Sequence, residues 1–118
     1  MSKLPAWQIK FSKELEQAEA ARRAGNEGMA RVCARRAAGI LIGQYIQENN
    51  LPPAGPSAYD RLRYLASQPE LGPKVREVAG HCLVRITPEH DLPVEADLIA
   101  EVRWLKGKLL GPDDGCPD

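Results

Sequence analysis

Gly25-Asn26-Glu27-Gly28-Met29-Ala30-Arg31-Val32-Cys33-Ala34-Arg35-Arg36-Ala37-Ala38-Gly39-Ile40-Leu41-Ile42-Gly43-Gln44-Tyr45-Ile46 is a turn followed by a helix of small residues studded with arginine. Ala30, Ala34, Ala37 and Ala38 leave little side chain between this segment and whatever packs on it. Two other helices can therefore come close, near the short end of the usual ~8–10 Å interaxial range. A central helix in a compact all-helical domain is the expectation. Asn26 stands where a cap is needed, and Val32, Cys33, Ile40, Leu41 and Tyr45 extend the apolar positions towards Asn49-Asn50.

On the N-terminal side, Leu4, Trp7, Phe11, Leu15 and Ala18 recur at three- and four-residue steps, one stripe of a helix that begins near Pro5 and ends at Gly25. On the C-terminal side, Pro52, Pro53, Gly55 and Pro56 forbid regular structure and predict a rigid loop. Ser57 and Asp60 form a variant capping box for a short helix carrying Ala58, Leu62 and Leu65 to about Ser67. Pro69 closes it. Pro73 opens a fourth helix with Val75, Val78, Ala79, Cys82 and Leu83 on its apolar face. The run Cys82-Leu83-Val84-Arg85-Ile86 has β-propensity but no partner strand, so it reads as the end of that helix.

Thr87 to Pro93 is a second proline turn, with Asp91 available as a cap. From Val94 to Leu110, Leu98, Val102, Leu105 and Leu109 make an amphipathic pattern flanked by Ile99 and Trp104, and Gly111-Pro112 stops it. The chain thus predicts an all-α, up-and-down bundle of four to five helices, one domain over residues 1–112, with a flexible acidic tail over 113–118.

With aromatic residues at 5%, the core has to be aliphatic, and Trp7, Trp104, Tyr45, Tyr59 and Tyr64 are expected to pack in it. Net charge is zero, which argues against a dedicated nucleic-acid binder. The charge is divided, however: residues 1–59 hold eight Lys/Arg against five Asp/Glu, and residues 60–118 eight against eleven. Cys33, Cys82 and Cys116 have no zinc-site or redox spacing, so reduced thiols and a cytoplasmic setting are expected. Neither a membrane span nor a signal peptide is expected. Two histidines supply no metal-ligand cluster, and there is no phosphate-cradling glycine loop, so no metal or cofactor is expected.

Arg22, Arg23, Arg31, Arg35 and Arg36 are the densest basic cluster. Arg31 and Arg35 stand one helical turn apart, and with Arg36 they are candidates for holding phosphate or RNA. The alternative is that these arginines cover apolar surface with their stems and pair with Glu14, Glu16 and Glu19. On either account, changing Arg31 and Arg35 should barely alter fold stability. No aromatic residue interleaves the cluster to stack bases.

Arg76-Glu77-Val78-Ala79-Gly80-His81 places an arginine and a histidine with four residues between them. With an N-terminal tryptophan helix, a glycine turn, an alanine-rich second helix, a proline-broken loop and a final amphipathic helix, the chain over about residues 5–110 resembles the HEPN family. That resemblance implies a helical bundle that dimerises and accompanies a nucleotidyltransferase, or a metal-independent ribonuclease of the toxin–antitoxin kind, paired with an antitoxin. In the ribonuclease branch Arg76 would hold the scissile phosphate and His81 would move the proton of an RNA 2′-hydroxyl. The chain departs from the catalytic pattern at Glu77, where a small polar residue is common, and at Leu83, where the toxin branch has a tyrosine. Five helical steps turn about 140°, so Arg76 and His81 cannot share one face and a second protomer would complete the site. Arg85-Ile86-Thr87-Pro88 is similar to the Arg-Tyr-Pro turn of non-catalytic members. The leading expectation is a non-catalytic dimeric module that binds a protein partner or a nucleotide-bearing ligand. The ribonuclease and a purely structural adaptor are the alternatives.

Overall fold

The computed structural model describes residues 4–83 and 97–111. Among these, five α-helices and one turn of 3-10 helix build an all-α bundle: α1 (Ala6–Arg23), α2 (Glu27–Glu48), α3 (Ala58–Ala66), the 3-10 turn Pro69–Leu71, α4 (Pro73–Leu83) and α5 (Leu98–Leu110). The Thr87–Pro93 turn, the Arg85–Pro88 motif, His90, Cys116 and the acidic tail lie outside the described residues.

α2 is the hub, packed by α1, α3 and α5, while α4 rests on α3 and α5. Its alanines are the reason. Ala30, Ala34, Ala37 and Ala38 are fully buried, so the neighbouring helices meet the α2 backbone with little between them. The rest of the core is aliphatic as composition required: Leu15 from α1, Leu41 and Ile42 from α2, Leu62 and Leu65 from α3, Val75 and Val78 from α4, and Val102 and Leu105 from α5, with Phe11 the single buried aromatic among the described residues.

Local chemistry sets the ends of the helices. At the first turn Gly25 takes a positive φ of 82°, its N–H donates to the Arg22 carbonyl at 3.0 Å, and the Asn26 N–H donates to the Ala21 carbonyl at 2.8 Å. That is a Schellman closure, and Asn26 then caps α2 by accepting from the Met29 N–H at 3.1 Å. α2 ends the same way with Asn50 in the left-handed position, the Leu51 N–H donating to Ile46 at 3.0 Å. Ser57 caps α3 by accepting from Asp60 at 3.0 Å, as the sequence predicted.

α5 starts later than its apolar periodicity implied. Asp97, in extended backbone, accepts from the Ala100 N–H at 3.2 Å and makes Leu98 the first helical residue. The cap of α5 is Asp97, a capping carboxylate that fixes the first turn; Asp91 lies outside the described residues. Two aromatic residues also depart from expectation. Trp7 packs against the core, as do Tyr45 and Tyr64, but Tyr59 is 50% exposed and Trp104 38%. Both stand on the outer side of their helices, where a neighbouring cation covers one ring face: Arg63 on Tyr59 and Lys74 on Trp104, each 5.7 Å from the ring centroid.

Gly39 and Gly43 of α2 are places where a side chain would not fit. A Cβ on Gly39 would lie 2.8 Å from the Ala58 Cβ at the start of α3, and one on Gly43 would lie 2.6 Å from an Arg61 guanidinium nitrogen. Arg61 lies across this gap, donating to the Gly39 carbonyl at 2.9 Å and the Gly55 carbonyl at 3.1 Å, so it ties the proline loop and α3 to α2. Gly107 of α5 is the opposite case, with nothing within 4 Å of a Cβ placed there. The two glycines predict opposite signs. Alanine is favoured over glycine in a helix by about 1 kcal/mol, but overpacking costs ~1–3 kcal/mol. Gly39→Ala should lower stability by up to about 2 kcal/mol and Gly107→Ala should raise it by about 1 kcal/mol. Urea unfolding at low protein concentration measures both.

Candidate functional site

Arg76 and His81 leave α4 towards different neighbours. Arg76 is exposed and its Nε lies 3.4 Å from the Ala66 carbonyl at the end of α3. His81 is half-buried and faces α5, its Nδ1 2.8 and 3.1 Å from the two carboxylate oxygens of Glu101. The other ring nitrogen, Nε2, lies 3.8 Å from Glu77, one turn back on α4. Within one chain the arginine–histidine pair does not converge, in keeping with the rotation of five helical steps. The histidine instead sits between two carboxylates, one of which, Glu101, came from a helix that carried no site residue in the sequence reading.

The basic cluster is divided among different tasks. Arg35 is half-buried and donates from Nε to the Cys82 carbonyl at 2.7 Å. That carbonyl is one of the last in α4, where main-chain oxygens lack intrahelical partners and the helix dipole is negative, so a guanidinium there caps the helix and offsets the dipole. Burial lowers the pKa of Arg35, yet a guanidinium remains charged at neutral pH. Arg31 has its Nε buried with no hydrogen-bond partner, and Arg36 is exposed. Arg31, Arg35 and Arg36 thus meet different surroundings.

Nor do the expected acidic partners take up the cluster. Glu19 pairs with Arg103 of α5, and Glu14 has a carboxylate oxygen buried with no hydrogen-bond partner. Arg22 holds Glu27 through a bidentate contact at 3.0 and 2.7 Å and Asp97 at 3.0 Å. It therefore fastens the α1–α2 turn to the cap of α5. The expected pairing assumed neighbours along α1, whereas the packing brings Arg22 to the cap of α5 and Arg35 to the end of α4. The hydrogen bond to Glu27 raises the pKa of Arg22 and lowers that of Glu27. Burial opposes ionisation of Asp97, but the Arg22 and Ala100 hydrogen bonds outweigh it and hold its carboxyl below the ordinary range.

Cys33 and Cys82 are buried, free thiols on apolar faces, as expected. Burial, with Glu101 adding to it, pushes the Cys82 thiol up to about 12, so it stays protonated at neutral pH and is a poor nucleophile. Among the described residues no group of three or more His, Cys, Asp or Glu side chains is placed to hold a metal ion, and no helix is long and apolar enough to cross a membrane. Between α4 and α5 runs a groove of about 340 Å³ lined by Lys74, Val78, Asp97, Ala100, Glu101 and Trp104. Glu101 joins it to His81. No family model, curated protein or solved structure matches this chain.

Two outcomes follow from the arginines. Arg35→Met keeps the apolar stem and removes the cap, so it should cost about 1.5–3 kcal/mol, the range for a hydrogen bond to a charged group, where the sequence reading expects little change. Thermal unfolding of the variant checks it. Because Glu27 and Asp97 titrate below their unfolded values, their contribution is complete above the ordinary carboxylate range of about 3.9–4.3 and is lost as pH falls through the lower folded values. Arg22→Met should therefore be less stable than wild type at neutral pH, with the gap closing in acid. Urea midpoints measured across that range test the sign.

Proposed function

We propose that this chain is a HEPN-like, non-catalytic helical module that forms a dimer and binds a protein partner, a nucleotidyltransferase being the kind its resemblance implies. The observation that carries this reading is the setting of His81, held against Glu101 of α5 with Glu77 one turn back on α4. A phosphate cleft needs a cation and a proton carrier at the same atoms. Here the histidine's immediate neighbours are carboxylates, Glu101 at 2.8 Å and Glu77 at 3.8 Å, which repel the anion that Arg76 would have to deliver. The nucleotide-bearing ligand is less supported than a protein, because Arg35, one of its three candidate contacts, caps α4 through the Cys82 carbonyl.

A metal-independent ribonuclease is the second reading, and one feature favours it. Glu101 against Nδ1 keeps the proton on that nitrogen and leaves Nε2 as the basic one, the arrangement a general base requires. Arg76 from a second protomer would then have to supply the phosphate contact.

The two readings separate in an RNA assay run with EDTA present. The module predicts no cleavage above background, and unchanged RNA in His81→Ala and Arg76→Ala alike. Cleavage that leaves a 2′,3′-cyclic phosphate and is lost in both variants would establish the ribonuclease. For the partner, the purified chain should co-elute with the product of its neighbouring gene on gel filtration. Failure to do so, with the chain dimeric and inert to RNA, would leave the structural adaptor.

A further inference from the structure

Arg61 differs from Arg22, Arg35 and Arg103 in where its charge goes. Arg22 and Arg103 meet carboxylates, and Arg35 ends at the last turn of α4, where the helix dipole is negative. Arg61 donates from Nε to the Gly55 carbonyl and from Nη1 to the Gly39 carbonyl, the latter in the middle of α2. Among the described residues no carboxylate forms an ion pair with it. Asp60, beside it in sequence, turns against Gly55 instead. Arg61 also stands at the end of the first turn of α3, near the positive end of that helix's dipole, where an anion is favoured and a cation is not.

This guanidinium lines a cleft of about 300 Å³ between the C-terminal half of α2 and the proline loop, at the lower end of the range for small-ligand sites. Ile46 of α2 and Leu51, Pro53 and Ala54 of the loop give the cleft apolar walls, Gln47 is neutral, and Arg61 is the one charged residue among those described that line it. Its place depends on Gly43, where a Cβ would lie 2.6 Å from Nη1, 2.9 Å from Cζ and 3.4 Å from Nη2. A guanidinium has five N–H donors. Nε and Nη1 each spend one on a carbonyl, and Nη2 makes no hydrogen bond to a described residue.

We propose that this cleft binds a small monocarboxylate with a short aliphatic body, its carboxylate on Nη2 of Arg61 and its chain against Ile46, Leu51, Pro53 and Ala54. A carboxylate matches the planar donors of a guanidinium, and one negative charge balances the one cation in the wall. Phosphate carries more charge than a single arginine offsets, and Asp60 stands close by. The site uses neither Arg76 nor His81, so it stands or falls apart from the function proposed above.

Titration of the ¹⁵N-labelled chain with hexanoate, followed by NMR, tests the site. Hexanoate should shift the amides of Gly43, Gln47, Ala54 and Gly55 and the Arg61 Nε–H in a saturable way. Hexylammonium, with the same chain and the opposite charge, should not, and inorganic phosphate should bind more weakly. Gln47 is exposed, so Gln47→Glu should keep wild-type helicity while setting a carboxylate beside Arg61 that competes with the probe, weakening hexanoate about tenfold or more, as loss of a hydrogen bond between charged groups does. Absent shifts, shifts that hexylammonium reproduces, or an affinity that Gln47→Glu leaves unchanged would overturn the site. Phosphate binding as tightly as hexanoate would overturn the choice of a monocarboxylate.

Discussion

The position of α3 against α2 is the constraint from which most of the structure follows. A Cβ at Gly39 would lie 2.8 Å from the Ala58 Cβ and 3.0 Å from its Cα, so the two helices are closer here than a side chain at position 39 allows. That spacing brings Arg61 within reach of two main-chain carbonyls, Gly39 and Gly55, and so fixes the proline loop. It also sets the platform on which α4 lies, since α4 packs on α3 and α5. The alanines of α2 do the same for α1 and α5. Small residues here are not weak points in the core. They are what lets several helices share one axis, and dispersion between closely packed backbones replaces the side-chain bulk they lack.

Charge in this protein is spent on joining elements. Arg22 links the first turn to the α5 cap, Arg35 links α2 to the end of α4, Arg61 links α3 to α2, and Arg103 links α5 to α1 through Glu19. Two of these, Arg35 and Arg61, end on main-chain carbonyls: Cys82 in the last turn of α4, and Gly55 in the proline loop together with Gly39 in the middle of α2. A planar guanidinium with several donors suits that duty better than a lysine would. Two of the arginines around the first turn, Arg22 and Arg35, thus serve to join helix ends, which a charge count along the chain cannot distinguish from a phosphate patch.

What could be read from the chain was what depends on neighbours within about one helical turn. Asn26 and Ser57 as caps, Gly25 as a terminator, and the burial of Ala30, Ala34, Ala37 and Ala38 are local consequences of residue type, and they were legible. The partners of charged groups were not. Glu19 lies 84 residues from Arg103 and Arg22 lies 75 from Asp97, and no periodicity connects such pairs. Glu101 was missed as the neighbour of His81 for the same reason. Trp104 was misplaced because an apolar residue beside an amphipathic stripe reads as core, and only the fold reveals that α5 turns it outward. Gly39 and Gly43 did carry a signal, glycines four apart on the expected hub helix, which is the spacing of a close helix crossing.

The surroundings of His81 bear on why the arginine–histidine spacing need not mean catalysis. Short spacings recur by chance, and what converts one into chemistry is the field around it. Here the imidazole lies between Glu77 and Glu101, and the groove beside it adds Asp97 and the ring of Trp104. Such a wall favours a cation or an apolar surface over a phosphate, in agreement with the acidic balance of residues 60–118, eight Lys/Arg against eleven Asp/Glu. The single cation at the groove, Lys74, already stands over the Trp104 ring, 5.7 Å from its centroid. His81, held against Glu101, joins α4 to α5 as a strut between the two helices.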